Sequence, residues 1–174
     1  MTATTPAGEL ARCGDATILT FRRELAHPID DVCRTLTDPE RTAAWIGPWS
    51  SDPGSGTIAL TMSAEGDGPP QNVTIVECAE PSSLIVETPG PDDAEGWRLE
   101  VRLCEGNVDA AGGPTTALCF TQPIADPAAA VDIGPGWHFY LDRFEAALDD
   151  RPADMDWDAD YYPALKERYS AVTR

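Results

Sequence analysis

The chain reads as an α+β domain in which a curved antiparallel β-sheet wraps around one long C-terminal α-helix, with two short helices after the first strand. Three observations predict it. The middle of the sequence alternates apolar and polar residues with a period of two, in several short runs. The links between those runs fall short of the dozen or so residues that a parallel crossover needs, so neighbouring strands run antiparallel. The stretch DIGPGWHFYLDRFEAALDD, Asp132 to Asp150, instead repeats its large side chains at helical spacing. One layer of strands with helices gathered at one side is the α+β layout.

The elements follow in order. Residues 1–14 form a flexible leader, 15–150 the domain, and 151–174 an extension packing on it. TILTFRREL (Thr17 to Leu25) puts Leu19, Phe21 and Leu25 on one face of a first strand, with Arg23 the polar exception. In HPIDDVCRTLTDP, Pro28 suits a helix start and Asp30 and Asp31 favour the positive end of its dipole. Ile29, Val32, Cys33 and Leu36 form the apolar stripe. Asp38 caps a second short helix, PERTAAWI, and GPWSSDPGSG is turn-forming. Five strands then follow: TIALTMS, QNVTIVECA, SSLIVET, WRLEVRLCEG and TTALCFTQ. The fourth is the clearest, with Trp97, Leu99, Val101 and Leu103 against Arg98, Glu100 and Arg102.

In the last long helix, Trp137, Tyr140, Leu141, Phe144, Ala147 and Leu148 fall in a stripe about 120° wide. Trp137, Tyr140 and Phe144 press into the concave face of the sheet. His138 lies about 120° from the stripe's centre and is expected in solvent. Phe139 points away from the stripe, so either the tail covers it or it marks a contact surface; the tail is the preferred cover. In that tail Asp160 is expected to cap a helix with Tyr162, Leu165 and Tyr169 on one face.

Charge and cysteines narrow the function. Thirty acidic residues against twelve basic ones give a net charge of −18, which disfavours nucleic acid and anionic membranes as partners. No run approaches the roughly 18 apolar residues of a membrane span. MTATTPAGELARCG lacks the order of a secretory signal, so a cytoplasmic protein is expected, as monomer or homodimer. Cys13, Cys33, Cys78, Cys104 and Cys119 are odd in number and lack a C-x-x-C pair, which speaks against zinc or a disulfide framework; they read as buried, reduced, small apolar residues. No metal site, P-loop, nucleophile elbow or dinucleotide fingerprint is present, and no cofactor is expected.

Three passages carry a family resemblance: FRRELAHPIDDVCRTLTDPERTAAWIGPW, the strand pattern, and GPGWHFYLDRFEAAL. With the TDPE turn, Trp45, the GP step, the Gly136-Trp137 pair opening the final helix and the YYPAL tail, the chain resembles the SRPBCC (START-like, helix-grip) superfamily. Within it, the chain looks most like the activator of heat-shock-protein-90 ATPase homologue group. The resemblance covers Asp15 to Tyr169. One departure is Cys33, where the family often carries tryptophan. The group's eukaryotic namesake stimulates a chaperone ATPase as part of a longer protein, so the co-chaperone role is not carried over. The superfamily implies an apolar small molecule in the cavity between sheet and helix; some members are cyclases or dehydratases.

The expected cavity lining is Phe21, Arg23, Trp45, Trp49, Met62 and Trp97 from the sheet side and its connections, Phe120 from the last strand, and Trp137, Tyr140, Leu141 and Phe144 from the helix. Arg23 either anchors a ligand carboxylate or snorkels to the cavity rim, and the rim is preferred. His27, at a strand–helix junction, fits a structural role. No catalytic residue is assigned. The first reading is a binding module for a hydrophobic small molecule. Its alternatives are a cyclase, dehydratase or hydrolase on such a substrate, and a protein-interaction or chaperone-associated module.

Overall fold

The computed structural model describes residues 5, 7–66, 68–90 and 95–172. The strands are β1 (Glu9–Cys13), β2 (Ala16–Leu25), β3 (Trp49–Ser51), β4 (Thr57–Leu60), β5 (Gln71–Ala79), β6 (Ser83–Thr88), β7 (Trp97–Glu105) and β8 (Thr116–Ile124). They form one eight-stranded sheet ordered β1-β2-β8-β7-β6-β5-β4-β3, antiparallel at every pairing. The first and last long strands thus pair near one edge of the sheet, with only β1 outside them, and the chain between them folds back and forth toward the other edge. Phe21 sits opposite Phe120, and Phe120 opposite Val101, so an apolar row crosses these three strands on one face.

Among the described residues four α-helices accompany the sheet: α1 (Ile29–Thr37), α2 (Pro39–Thr42), α3 (Ala130–Leu148) and α4 (Lys166–Val172). Asp38 caps α2 as expected, accepting from the Glu40 and Arg41 amides. After α2 the chain turns at Gly47, whose φ is +148°; a Cβ there would stand 1.7 Å from the Thr61 carbonyl oxygen, so only glycine fits. That close approach, with Thr61 N donating to Pro48 O and Ser63 N to Ile46 O, sets the segment that carries Met62 and Glu65.

The curved sheet closing over a long helix matches the expected architecture, and several details differ. Five residues of the expected leader, Glu9–Cys13, are an edge strand paired with Ala16–Thr20. Trp49–Ser51 pairs with Ile58–Leu60 inside the expected turn. Helix α3 begins at Ala130, six residues before the Gly136-Trp137 pair, and runs through Pro135. Pro135 has no N–H to offer Val131, yet it is buried, and packing holds the turn where propensity would break it. Asp160 does not cap the last helix. Asp156 instead caps a π-helical turn, Trp157–Tyr161, and α4 starts at Lys166 with Leu165 and Tyr169 both buried. Of the cysteines only Cys33 is buried; Cys13, Cys78 and Cys104 are exposed, and all five are free.

No helix among the described residues is long and apolar enough to cross a membrane. Helix α3 is apolar on more than one side because the tail covers its back. Phe139 is 6% exposed, edge-on to Trp157 at 5.4 Å and to Tyr161 at 5.2 Å, with the Arg143 guanidinium over its ring. The tail therefore covers Phe139, and the ring offers no contact surface.

Candidate functional site

Between the sheet and the front of α3 lies a cavity of about 640 Å³. That falls within the roughly 300–1,000 Å³ typical of small-molecule pockets. Its walls come from four places. Helix α3 supplies Asp132, Ile133, Gly136, Trp137 and Tyr140. Strand β7 supplies Trp97 and Leu99, the end of β6 supplies Thr88, and the connections supply Met62, Glu65, Pro89 and Gly90. Beneath it, a smaller apolar space of about 130 Å³ shares Leu99, Trp137 and Tyr140 as a common wall. A third recess, about 410 Å³, adjoins the mouth and shares Met62, Glu65 and Pro89 with the main cavity.

The aromatic wall is built by strand alternation meeting helical spacing. Trp137 lies 4.8 Å from Phe120, 6.4 Å from Trp97 and 6.2 Å from Tyr140, centroid to centroid, all at steep angles. Its indole N–H donates to the Gln122 Oε1 at 2.5 Å, which fixes the ring's orientation. Because the indole is a donor only, the amide nitrogen of Gln122 must face away, and it is buried without a hydrogen-bond partner. At the mouth the Tyr140 hydroxyl donates to Glu65 Oε1 at 3.2 Å. Burial and the Glu65 carboxylate push the Tyr140 hydroxyl above its ordinary range, so it stays a donor at neutral pH.

Most of the expected lining comes together. Trp137 and Tyr140 face both spaces, Met62 and Trp97 face the larger one, and Trp45, Trp49, Phe120, Leu141 and Phe144 face the smaller one. Two residues do not belong. Phe21 is fully buried in the core, packed on Phe120 and Tyr169. Arg23 is 6% exposed and reaches neither cavity nor rim; its Nε stands 2.8 Å from Glu145 Oε1 and its Nη2 3.6 Å from Asp142 Oδ1. The strand face it shares with Phe21 runs past the cavity and behind α3, where carboxylates meet it. Composition hid the rest of the site: Glu65, Asp132 and Gly136 lie in a loop or within one turn of helix, where no periodicity marks them.

His138 is also corrected. It is fully buried, not in solvent, because the tail and the N-terminal segment close over the back of α3. Its Nδ1 faces the Tyr169 hydroxyl at 3.0 Å and its Nε2 the Thr5 hydroxyl. One set of donors satisfies every group. Gly8 N–H donates to Tyr169, Tyr169 to His138 Nδ1, His138 Nε2–H to Thr5, and Thr5 to Asp142; Tyr161 donates to the other Asp142 oxygen. Burial pulls the His138 pKa down to about 4, with Arg23 and Arg168 adding to the fall and Asp142 opposing it. None of these groups lines the cavity, so this network holds structure together. His27 does likewise, its Nε2 lying 2.7 Å from Asp149 Oδ1 at the end of α3. Among the described residues no group of three or more His, Cys, Asp or Glu could hold a metal ion.

A curved antiparallel sheet gripping a C-terminal helix, with an apolar cavity between them, defines a helix-grip protein of the START-like kind. The sequence model described as "Activator of Hsp90 ATPase homolog 1-like protein" matches residues 26–149, and the chain belongs to that family. No curated protein matches the chain. Among solved structures, CalU16 from Micromonospora echinospora is similar over 99% of both chains, with 21% identity and a TM-score of 0.73. The protein encoded by gene BPP1335 from Bordetella parapertussis is similar over 98% of this chain and 93% of its own, with 23% identity and a TM-score of 0.67. DynU16, from the dynemicin biosynthetic locus, is 20% identical with a TM-score of 0.61, over 80% of this chain and 50% of its own. At these identities the likeness is one of fold.

Proposed function

We propose that this chain binds a hydrophobic small molecule in the cavity between its sheet and α3, in the cytoplasm. Trp97, Trp137, Tyr140 and Met62 would hold the apolar body, and Trp45, Trp49, Phe120, Leu141 and Phe144 would back the deeper end. The supporting observation is Gly136. It lies in the middle of a helix, where glycine costs roughly 1 kcal/mol against alanine, and a Cβ placed on it meets nothing within 4 Å. Space is kept open there at the expense of helix stability. That the solved neighbours include a protein of a biosynthetic locus accords with a small-molecule ligand. His138 and Glu145, whose titration burial shifts, lie outside the cavity, and the Tyr140 hydroxyl on its wall is held protonated by burial, so a binding role is preferred to catalysis.

The test is to fill the space. Gly136→Leu should keep or raise the melting temperature while weakening the binding of N-phenyl-1-naphthylamine, a neutral aromatic probe, at least tenfold by calorimetry. Equal affinity in both proteins would place the bound probe elsewhere and remove the reading.

A further inference from the structure

We infer that the cavity selects an apolar, flat-bodied molecule carrying a protonated amine, with the cationic end held at the mouth beside Glu65. This rests on the cavity being a binding site, as proposed above, and adds the charge of what it takes. The argument starts from the walls. Two ionisable carboxylates, Glu65 and Asp132, line the cavity, and no lysine, arginine or histidine does among the described residues. Their situations differ. Asp132 already accepts from the Tyr162 hydroxyl at 3.0 Å and lies 3.4 Å from Lys166 Nζ, so its charge is answered from the tail. Glu65 accepts only the neutral Tyr140 hydroxyl, and no cation of the described chain pairs with it.

An uncompensated carboxylate thus stands within reach of the aromatic rings of Tyr140 and Trp137. The faces of such rings carry negative electrostatic potential and attract ammonium groups, most strongly for tryptophan. Carboxylate and ring faces favour the same sign of ligand charge, and both disfavour an anion. Glu65 also stands where the main cavity meets the adjoining recess, so an amine could extend into that recess while the apolar body lies on Trp97 and Trp137.

Three probes that share one body decide it: 2-(naphthalen-2-yl)ethylamine, 2-(naphthalen-2-yl)ethanol and 2-naphthylacetate, titrated calorimetrically into the wild type and Glu65→Gln. The glutamine keeps an acceptor for Tyr140 and removes only the charge. The amine should bind about tenfold more tightly than the alcohol, the sum expected of one exposed ion pair and one cation–π contact. The carboxylate should be weakest, and Glu65→Gln should narrow the gap between amine and alcohol at least threefold. An alcohol or carboxylate that binds as well as the amine overturns the inference and leaves the cavity reading standing. So does an unchanged preference in Glu65→Gln, which would trace it to the overall net charge of −18. Silence from all three where N-phenyl-1-naphthylamine binds overturns it as well. If that neutral probe is also silent, the cavity reading falls with it.

Discussion

Two glycines two residues apart on α3, and so on opposite faces of it, do opposite things. Gly134 faces the tail, and a Cβ there would stand 2.3 Å from Tyr169 Cδ1, inside the ring's contact shell. Gly136 faces the open cavity. Alanine at 134 should therefore overpack and cost about 1–3 kcal/mol, while alanine at 136 should add about 0.5–1 kcal/mol through helix propensity alone. Urea denaturation of the two variants measures both, and equal signs would contradict the packing described. GPG looks like one helix-opening motif in the sequence. What separates its two glycines is which partner each faces, and that partner lies over thirty residues away or is empty space.

At the scale of elements, α3 is a rod clamped on two sides. Its front meets the turn after α2 through Phe144, edge-on to Trp45 at 5.1 Å, and the sheet through Trp137; its back meets the tail through Phe139. Arg143 joins the two by donating to the Trp45 and Ala153 carbonyls. Phe139→Ala should cost about 3–5 kcal/mol, as for a buried aromatic. Trp137→Ala should cost less, because that ring borders open space on one side. Thermal melts should rank them in that order; the reverse would place Trp137 in a closed core. The stripe of Trp137, Tyr140, Leu141 and Phe144 was legible because it obeys the helical period, and so were the strands that face it. The back of the helix was not. His138 and Asp142 are polar, and periodicity counts a polar residue as outward even when a tail from further along the chain supplies its hydrogen bonds. Arg23 failed for the same reason, since its partners Glu145 and Asp142 are distant in sequence.

For the whole molecule, the buried relay from Gly8 through Tyr169, His138 and Thr5 to Asp142 ties the N-terminal segment and the tail to the back of α3. Its histidine is neutral in the native state, with the pKa depressed to about 4 by burial. Below pH 6.5 the unfolded chain takes up a proton there that the folded chain refuses, so this group's contribution falls as pH drops from about 6.5 to about 4. The loss is on the order of 3 kcal/mol. Burial raises the Glu145 pKa, which acts with the opposite sign, because a folded state that binds protons more readily gains stability on acidification. Comparison with His138→Gln isolates the histidine: the stability gap between wild type and variant should narrow on going from pH 7 to pH 4. A constant gap would mean that His138 is not held neutral by the fold.

The placement of the indoles has a practical consequence. Trp97 and Trp137 stand on the cavity wall, whereas Trp157 sits on the tail, its ring nearly parallel to those of Tyr161 and Tyr162 and 37% exposed. A molecule that slides in against the first pair changes their surroundings and leaves the third untouched. The protein therefore carries its own optical gauge of occupancy, with an internal reference, and needs no dye to show whether its interior is filled.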